Sequence, residues 1–221
     1  MIKQFTNTIL SFSTGKDSIL ALYYLIQNGH KIENAFVTLN SEYKRVNFHS
    51  INEKLIDKQA SSLNLNIEKI YIDKSETVEE YKFKMTPYFN KIKNNGYKNI
   101  AFGDIFLTEL KDFRDNHLKE LNMKGVYPLW GKSSKDVMNE FLHLGFKAII
   151  TCIDLNKLDK SYLGTILDEQ LIASFPKNVD ICGENGEYHT FVFDGPIFKN
   201  RVNLNIENIY QKDNFIYLNL N

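Results

Sequence analysis

From Thr8 onward the chain alternates short β-rich apolar runs with segments of helical periodicity, and that alternation restricts it to βαβ units around a parallel sheet. The strand candidates are Thr8–Phe12, Ala35–Leu39, Ile67–Ile72, Asn99–Ile105, Val126–Leu129 and Ala148–Ile153. Helical patterns fill the gaps: Asp17–Asn28 stopping at Gly29, Ile51–Leu63, Val78–Asn94 around Pro87, Leu107–Asn122, and Lys135–Leu144 with Ser133 or Ser134 as cap and Gly145 as stop. After about residue 160 the pattern changes. A helix is expected over Leu163–Phe175, a strand over Glu187–Phe193, and a hairpin from Val202–Tyr210 and Phe215–Leu220 about Lys212-Asp213-Asn214. The reading is a first domain over residues 1–125 and a smaller lobe over 126–221 that shares an interface with it.

The first strand-to-helix junction carries the most chemistry. Ser13-Thr14-Gly15-Lys16-Asp17-Ser18 lies between Ile9, Leu10 and Phe12 and the apolar helix face, where unpaired N–H groups and the helix dipole grip phosphate. A Walker A loop is excluded, because Leu10 and Asp17 stand where that loop needs Gly and Ser or Thr. Gly15 allows close approach, Lys16 places a point charge on phosphate oxygens, Asp17 can hold Mg²⁺, and Ser13, Thr14 and Ser18 supply hydroxyls or the helix cap. The plain alternative is a capped surface helix with Lys16 and Asp17 in solvent.

In an open α/β sheet, ligands lie beyond the carboxyl ends of the strands. Thr38 follows the second strand, Gly103 permits close backbone approach after the fourth, and Asp104 can reach metal or sugar; a tight strand exit explains Gly103 equally well. Arg45 and His49 precede the second helix, where an Arg can pair phosphate and a His can cap; either reads equally as a surface residue. Gly183, Glu184, Asn185, Glu187 and His189 form the densest polar cluster, leading into a strand. Its carboxylates and imidazole can bind an amine, hold metal or move a proton, and a polar turn is the simpler alternative.

The 221 residues, 43% of them apolar, suffice for one α/β domain and a second lobe. Basic and acidic residues cancel at 27 each, which disfavours nucleic acid and anionic membrane as partners. No positively charged start runs into an apolar core, and no run nears the ~18 apolar residues of a span, so a cytoplasmic protein is expected. Cys152 and Cys182 form neither a CxxC pair nor a metal framework and read as reduced thiols. No heptad or exposed stripe fixes the oligomeric state, and a homodimer stays open.

Residues 13–18 resemble the SGGKDS signature of the PP-loop ATP pyrophosphatases, with Thr14 in place of the first Gly, a change that is neutral only if residue 14 is not left-handed. Residues 182–191, CGENGEYHTF, resemble the GEGGEYET-like motif of the diphthine-ammonia ligase family, most closely in its short stand-alone members. Phe48-His49, Phe102-Gly103-Asp104-Ile105, Tyr127-Pro128-Leu129-Trp130-Gly131 and Phe193-Asp194-Gly195-Pro196 fall in the expected order. The resemblance implies a Rossmann-like α/β fold of the nucleotide α-hydrolase type with a small C-terminal α+β lobe over the ATP site. It also implies an ATP-dependent ligase that adenylates a carboxylate on a protein side chain or small molecule, releases pyrophosphate and amidates with ammonia. In that reading Ser13–Ser18, Thr38, Gly103 and Asp104 bind ATP and Mg²⁺. Lys16, Asp17, Glu184 and Glu187 serve catalysis, and Arg45, His49, Gly183, Glu184, Asn185, Glu187 and His189 face the acceptor. Two rivals remain: a PP-loop enzyme modifying tRNA or a metabolite, and a sensor that holds ATP without turnover.

Overall fold

The computed structural model describes residues 7–46, 51–73 and 77–221. His49 and Phe48 lie outside the described residues.

Five strands form a parallel sheet in the order β3-β2-β1-β4-β5: β1 Thr8–Ser11, β2 Asn34–Asn40, β3 Asn66–Ile72, β4 Asn99–Ala101 and β5 Lys124–Val126. The crossovers are helical, through α1 Lys16–Gln27, α2 Glu53–Leu63, α3 Val78–Asn94 and α4 Thr108–Glu120. Helix ends follow side-chain chemistry. Asn52 and Thr77 accept from Leu55 N and Glu80 N, and Asn64 closes α2 in the left-handed conformation at φ 58°. Because the chain runs from β1 out to β3 and then returns to β4 on the other side, the sheet reverses direction between β1 and β4, which opens a crevice at their carboxyl ends.

The sixth strand candidate departs from the expectation. β6 (Lys147–Asp154) leaves the parallel sheet and pairs antiparallel with β7 (Tyr188–Asp194) and β9 (Phe215–Leu220), while β8 (Ile206–Lys212) completes a four-stranded sheet in the order β7-β6-β9-β8. All residues of β6 but Lys147 are buried, and a run buried on both faces reads alike in either kind of sheet. The expected helix over Leu163–Phe175 is also replaced. A 3-10 turn (Lys160–Tyr162) leads into residues 164–167, which pair with the part of β6 that β9 does not reach: Gly164 N donates to Ile150 O at 2.9 Å and Leu167 N to Ala148 O at 2.9 Å. Only Glu169–Ala173 then forms α6, capped by Asp168. An unsatisfied strand edge outweighed the local helical pattern.

α5 (Ser134–His143) joins the sheets, with Ser133 as its cap. Val37, Leu39, Leu55 and Ile56 of the first sheet and α2 share one buried cluster with Ile149, Phe191, Phe193, Leu218 and Leu220 of the second. This shared core brings β7 against the start of α1.

Candidate active site

The loop after β1 turns at the sheet's reversal point. α1 begins at Lys16 with Gly15 as N-cap, so the N-cap residue itself offers no side chain to the first turn. The expected hydroxyl cap from Ser13 or Thr14 is therefore absent. Ser13 instead donates through N and Oγ to Ser18 Oγ at 3.3 and 3.1 Å, and Ser18 Oγ donates to Gly15 O at 3.1 Å, so these hydroxyls fix the loop's shape. Thr14 is buried at φ 70°, the left-handed region that disfavours a β-branched residue. The glycine expected there has thus been replaced at a position where glycine's freedom matters.

Strand β7 supplies the loop's other partners. Alternation sets Tyr188, Thr190 and Val192 on one face, and all three meet the loop. Thr190 Oγ1 accepts from Lys16 N at 3.2 Å, Val192 N donates to Thr14 O at 3.1 Å, and the Tyr188 ring lies 5.8 Å below Lys16 Nζ. Gln59 of α2 ties both sides together, its Nε2 donating to Thr14 O at 3.0 Å and to Val192 O at 2.5 Å. His189 falls on the opposite face of β7, where its carbonyl accepts from Thr151 Oγ1 at 3.3 Å.

Lys16 is 4% exposed, and its Nζ donates to Asp17 Oδ2 at 2.9 Å and to Cys182 O. Burial, the largest single influence, lowers its pKa, but the facing Asp17, Cys182, Tyr188 and Glu184 together outweigh that and hold it well above the usual lysine value. Asp17 Oδ1 is buried and has no partner among the described residues. Glu184 stands across the crevice. Burial first, then the charge of Asp17, push its pKa up to about 8, with Lys16 pulling the other way.

Glu187 is 2% exposed and turned inward: Oε1 accepts from Asp180 N at 3.0 Å and Asn185 Nδ2 at 3.1 Å, and Oε2 from Asn185 N at 3.0 Å. Asp180 ties the same turn from outside, accepting from Cys182 N at 2.9 Å, Glu184 N at 3.2 Å and Ser134 Oγ at 2.6 Å. Gly183 N closes it onto Asp180 O at 2.8 Å. These bonds hold the Cys182 carbonyl and Glu184 toward Lys16.

Gly103 backs directly onto α1: a Cβ there would lie 2.7 Å from the Asp17 carbonyl carbon and 2.8 Å from Ser18 N. Its smallness therefore serves the protein's own backbone. Asp104 pairs with Arg114, and burial raises its pKa against that pairing. Thr38 lies half-buried in β2 beside Ile70, and Arg45 in the turn beyond β2 bridges to Asn52. The loop's bonds run to Gln59, Cys182, Thr190 and Val192.

Comparison with known proteins decides the family. Residues 6–125 match the family model described as diphthamide synthase N-terminal domain, and residues 133–220 match diphthamide synthase C-terminal domain. The chain belongs to the diphthamide synthase family. It is similar to the diphthine–ammonia ligase of Schizosaccharomyces pombe, 26% identical over 213 residues that cover 86% of this chain and 34% of that protein. The mouse protein of the same name is 26% identical over 216 residues, covering 86% and 79%, and the human one 33% over 111 residues, covering 48% and 41%. The chain thus spans about a third of the yeast relative and most of the mouse one.

Within the diphthamide synthase family match, both halves contribute to one crevice, since the loop lies in the N-terminal match and its β7 partners in the C-terminal one. Gln59, Thr190, Arg114 and the Cys182 carbonyl were not among the residues expected from sequence. A main-chain acceptor leaves no signature in residue type, and Thr190 becomes visible only once the face of β7 is known.

Proposed function

We propose that this chain is an ATP-dependent ligase that adenylates a carboxylate and then amidates it with ammonia, with residues 1–125 as the ATP-binding domain and 126–221 as the acceptor lobe. The observation that carries this is the meeting of Lys16 and Asp17, at a helix start whose N-cap is a glycine, with Glu184 of the opposite lobe. The relatives' name, diphthine–ammonia ligase, supports the same reaction.

The amides that open α1 bind phosphate oxygens, aided by the positive end of the helix dipole. Lys16 adds its charge once ATP draws Nζ away from the Cys182 carbonyl. The acceptor carboxylate oxygen attacks the α-phosphorus, the bond to the bridging oxygen breaks, and pyrophosphate leaves. Ammonia's nitrogen then attacks the acyl carbon, the acyl–oxygen bond breaks, and AMP departs. Glu184, poised near neutrality, takes the proton that the ammonium group sheds. Glu187 keeps Glu184 and Asn185 in place through the turn, and Asn185 at the rim and Arg45 remain acceptor-side contacts.

Mg²⁺ fits one donor in particular. Asp17 Oδ1 is a buried carboxylate oxygen without a partner among the described residues, and Mg²⁺ bound with nucleotides takes only one or two carboxylates besides phosphate and water. No group of three or more metal-ligating side chains occurs among the described residues. When bound, the ion would neutralise charge on the departing pyrophosphate.

A sulfur-transfer role is disfavoured by the thiols. Cys182 Sγ donates to Ser134 O at 3.2 Å and burial pushes its pKa up, while burial pushes Cys152 up to about 12.

Incubation with ATP labelled at the α-phosphate, Mg²⁺, ammonium and candidate carboxylates tests the reading. AMP and pyrophosphate are expected, and Lys16→Ala should lower their release by at least about a hundredfold, the scale of losing an electrostatic donor. ADP and phosphate as products, or unchanged release from Lys16→Ala, would refute it.

A further inference from the structure

At the carboxyl ends of β4 and β5, beside the loop, stands a second construction to which the ligase reading gives no task. Tyr127 and Trp130 meet edge to face, with ring centroids 6.0 Å apart at 61°. Tyr127 Oη donates to Asp115 Oδ1 at 2.8 Å, and its ring stacks on Phe102 at 5.6 Å. Into this corner reaches Lys111: its Nζ lies 4.8 Å from the Tyr127 centroid, 5.4 Å from the Trp130 centroid and 2.5 Å from Asp115 Oδ2. The chain is shaped to permit it. A Cβ on residue 125 would come within 2.5 Å of the Tyr127 ring and 2.6 Å of Asp115 Oδ1, so Gly125 lets the ring and carboxylate meet.

Two aromatic faces and a carboxylate around one positive charge are the chemistry that holds an ammonium group, and a quaternary one above all, since ring faces attract charge without needing N–H donors. We propose that Tyr127, Trp130 and Asp115 form a subsite for an ammonium group on the acceptor substrate, and that Lys111 is a resident stand-in which the substrate displaces. Calling the ligand the acceptor rests on the ligase reading; cation binding itself does not.

Lys111 is suited to leave. Its tie to Asp115 is an i,i+4 pair on α4, worth only about a twofold preference in water, and its side chain is 24% exposed, so the freed ammonium returns to solvent. Arg114 stays. Its guanidinium lies 4.3 Å over Phe102 and pairs with Asp104, which neutralises the second cation nearby. The corner also adjoins the reacting groups: Tyr127 stacks on Phe102, and the next residue, Gly103, abuts Asp17 and Ser18. An acceptor anchored by its cation at Asp115 is thereby placed on the loop's side of the crevice.

Trp130 is the chain's single tryptophan, so its fluorescence reports on this corner directly. The full chain is titrated with tetramethylammonium chloride, with NaCl at equal ionic strength and neopentyl alcohol as the uncharged control. A saturable change specific to tetramethylammonium is expected. Lys111→Met should lower its midpoint about fivefold by vacating the corner, and Asp115→Asn should raise it about fivefold, with unchanged circular dichroism. If Lys111→Met gives no saturable change beyond that of NaCl, or neopentyl alcohol reproduces it, the subsite does not exist. The readout uses no ATP. Cation binding without AMP formation in the ligase assay would therefore count against the ligase reading, and AMP formation without cation binding against the subsite.

Discussion

Thr14 holds the loop's least comfortable position. A β-branched residue at φ 70° costs about 1–2 kcal/mol, and its buried Oγ1, without a partner among the described residues, adds a desolvation penalty of about 1–3 kcal/mol. Replacement by glycine gives back about 1 kcal/mol through unfolded-chain entropy and a similar amount through lost methyl burial. The strain and orphan terms are the larger. Thr14→Gly should therefore stabilise the protein by about 1 kcal/mol, seen as a rise in Tm of about 2–4 °C. Thr14→Val, which removes the hydroxyl but keeps the branched residue in the left-handed region, should recover only part of that gain. A lower Tm for Thr14→Gly would mean that methyl packing outweighs backbone strain here. The bonds from Val192 N and Gln59 Nε2 to the Thr14 carbonyl explain how such a residue is held in place.

At the scale of elements, the close contact between the end of β4 and the first turn of α1 fixes how the loop presents its amides. An alanine at 103 would drive its Cβ into backbone atoms of Asp17 and Ser18, which cannot swing aside as a side chain can. Gly103→Ala should cost about 1–3 kcal/mol in urea unfolding and weaken ATP binding at least about tenfold, because the displaced turn carries both Lys16 and Asp17. Nearly unchanged ATP affinity would show that the loop is held mainly from the β7 side. Local signals made much of this level legible. The span Val78–Asn94 coincides with α3 to the residue, where Thr77 caps it, and Ser133 and Gly145 bracket α5. What stayed hidden was pairing at long range. The apolar run of β6 carries no mark of strand direction, and residues 164–167 pair with an edge of β6 that lies earlier in the chain. The same holds for the site: Lys16, Asp17 and Glu184 announce themselves by residue type, whereas Gln59 is an ordinary helix residue until Thr14 O and Val192 O are known to converge on it.

For the molecule as a whole, the loop is completed by the second lobe, and this makes the two lobes one cooperative unit. Lys16 N would be an orphan amide without Thr190 Oγ1, Thr14 O would lose Val192 N, and the Lys16 ammonium would lose the Cys182 carbonyl. Removing the second sheet would also strip Val37, Leu39, Leu55 and Ile56 of the apolar partners Phe191, Phe193, Leu218 and Leu220. Exposing four such side chains costs about 1.5–3 kcal/mol each, comparable with the whole stability of a domain. Unfolding in urea should accordingly follow a single transition, with the same midpoint by Trp130 fluorescence, which reports next to β5, and by far-UV circular dichroism, which weighs both sheets. A fragment of residues 1–125 should neither show that transition nor bind ATP. Two separated transitions, or a 1–125 fragment that binds ATP as tightly as the full chain, would mean that β7 only covers a loop already formed. The shared core and these three hydrogen bonds to the loop argue that it helps to form it.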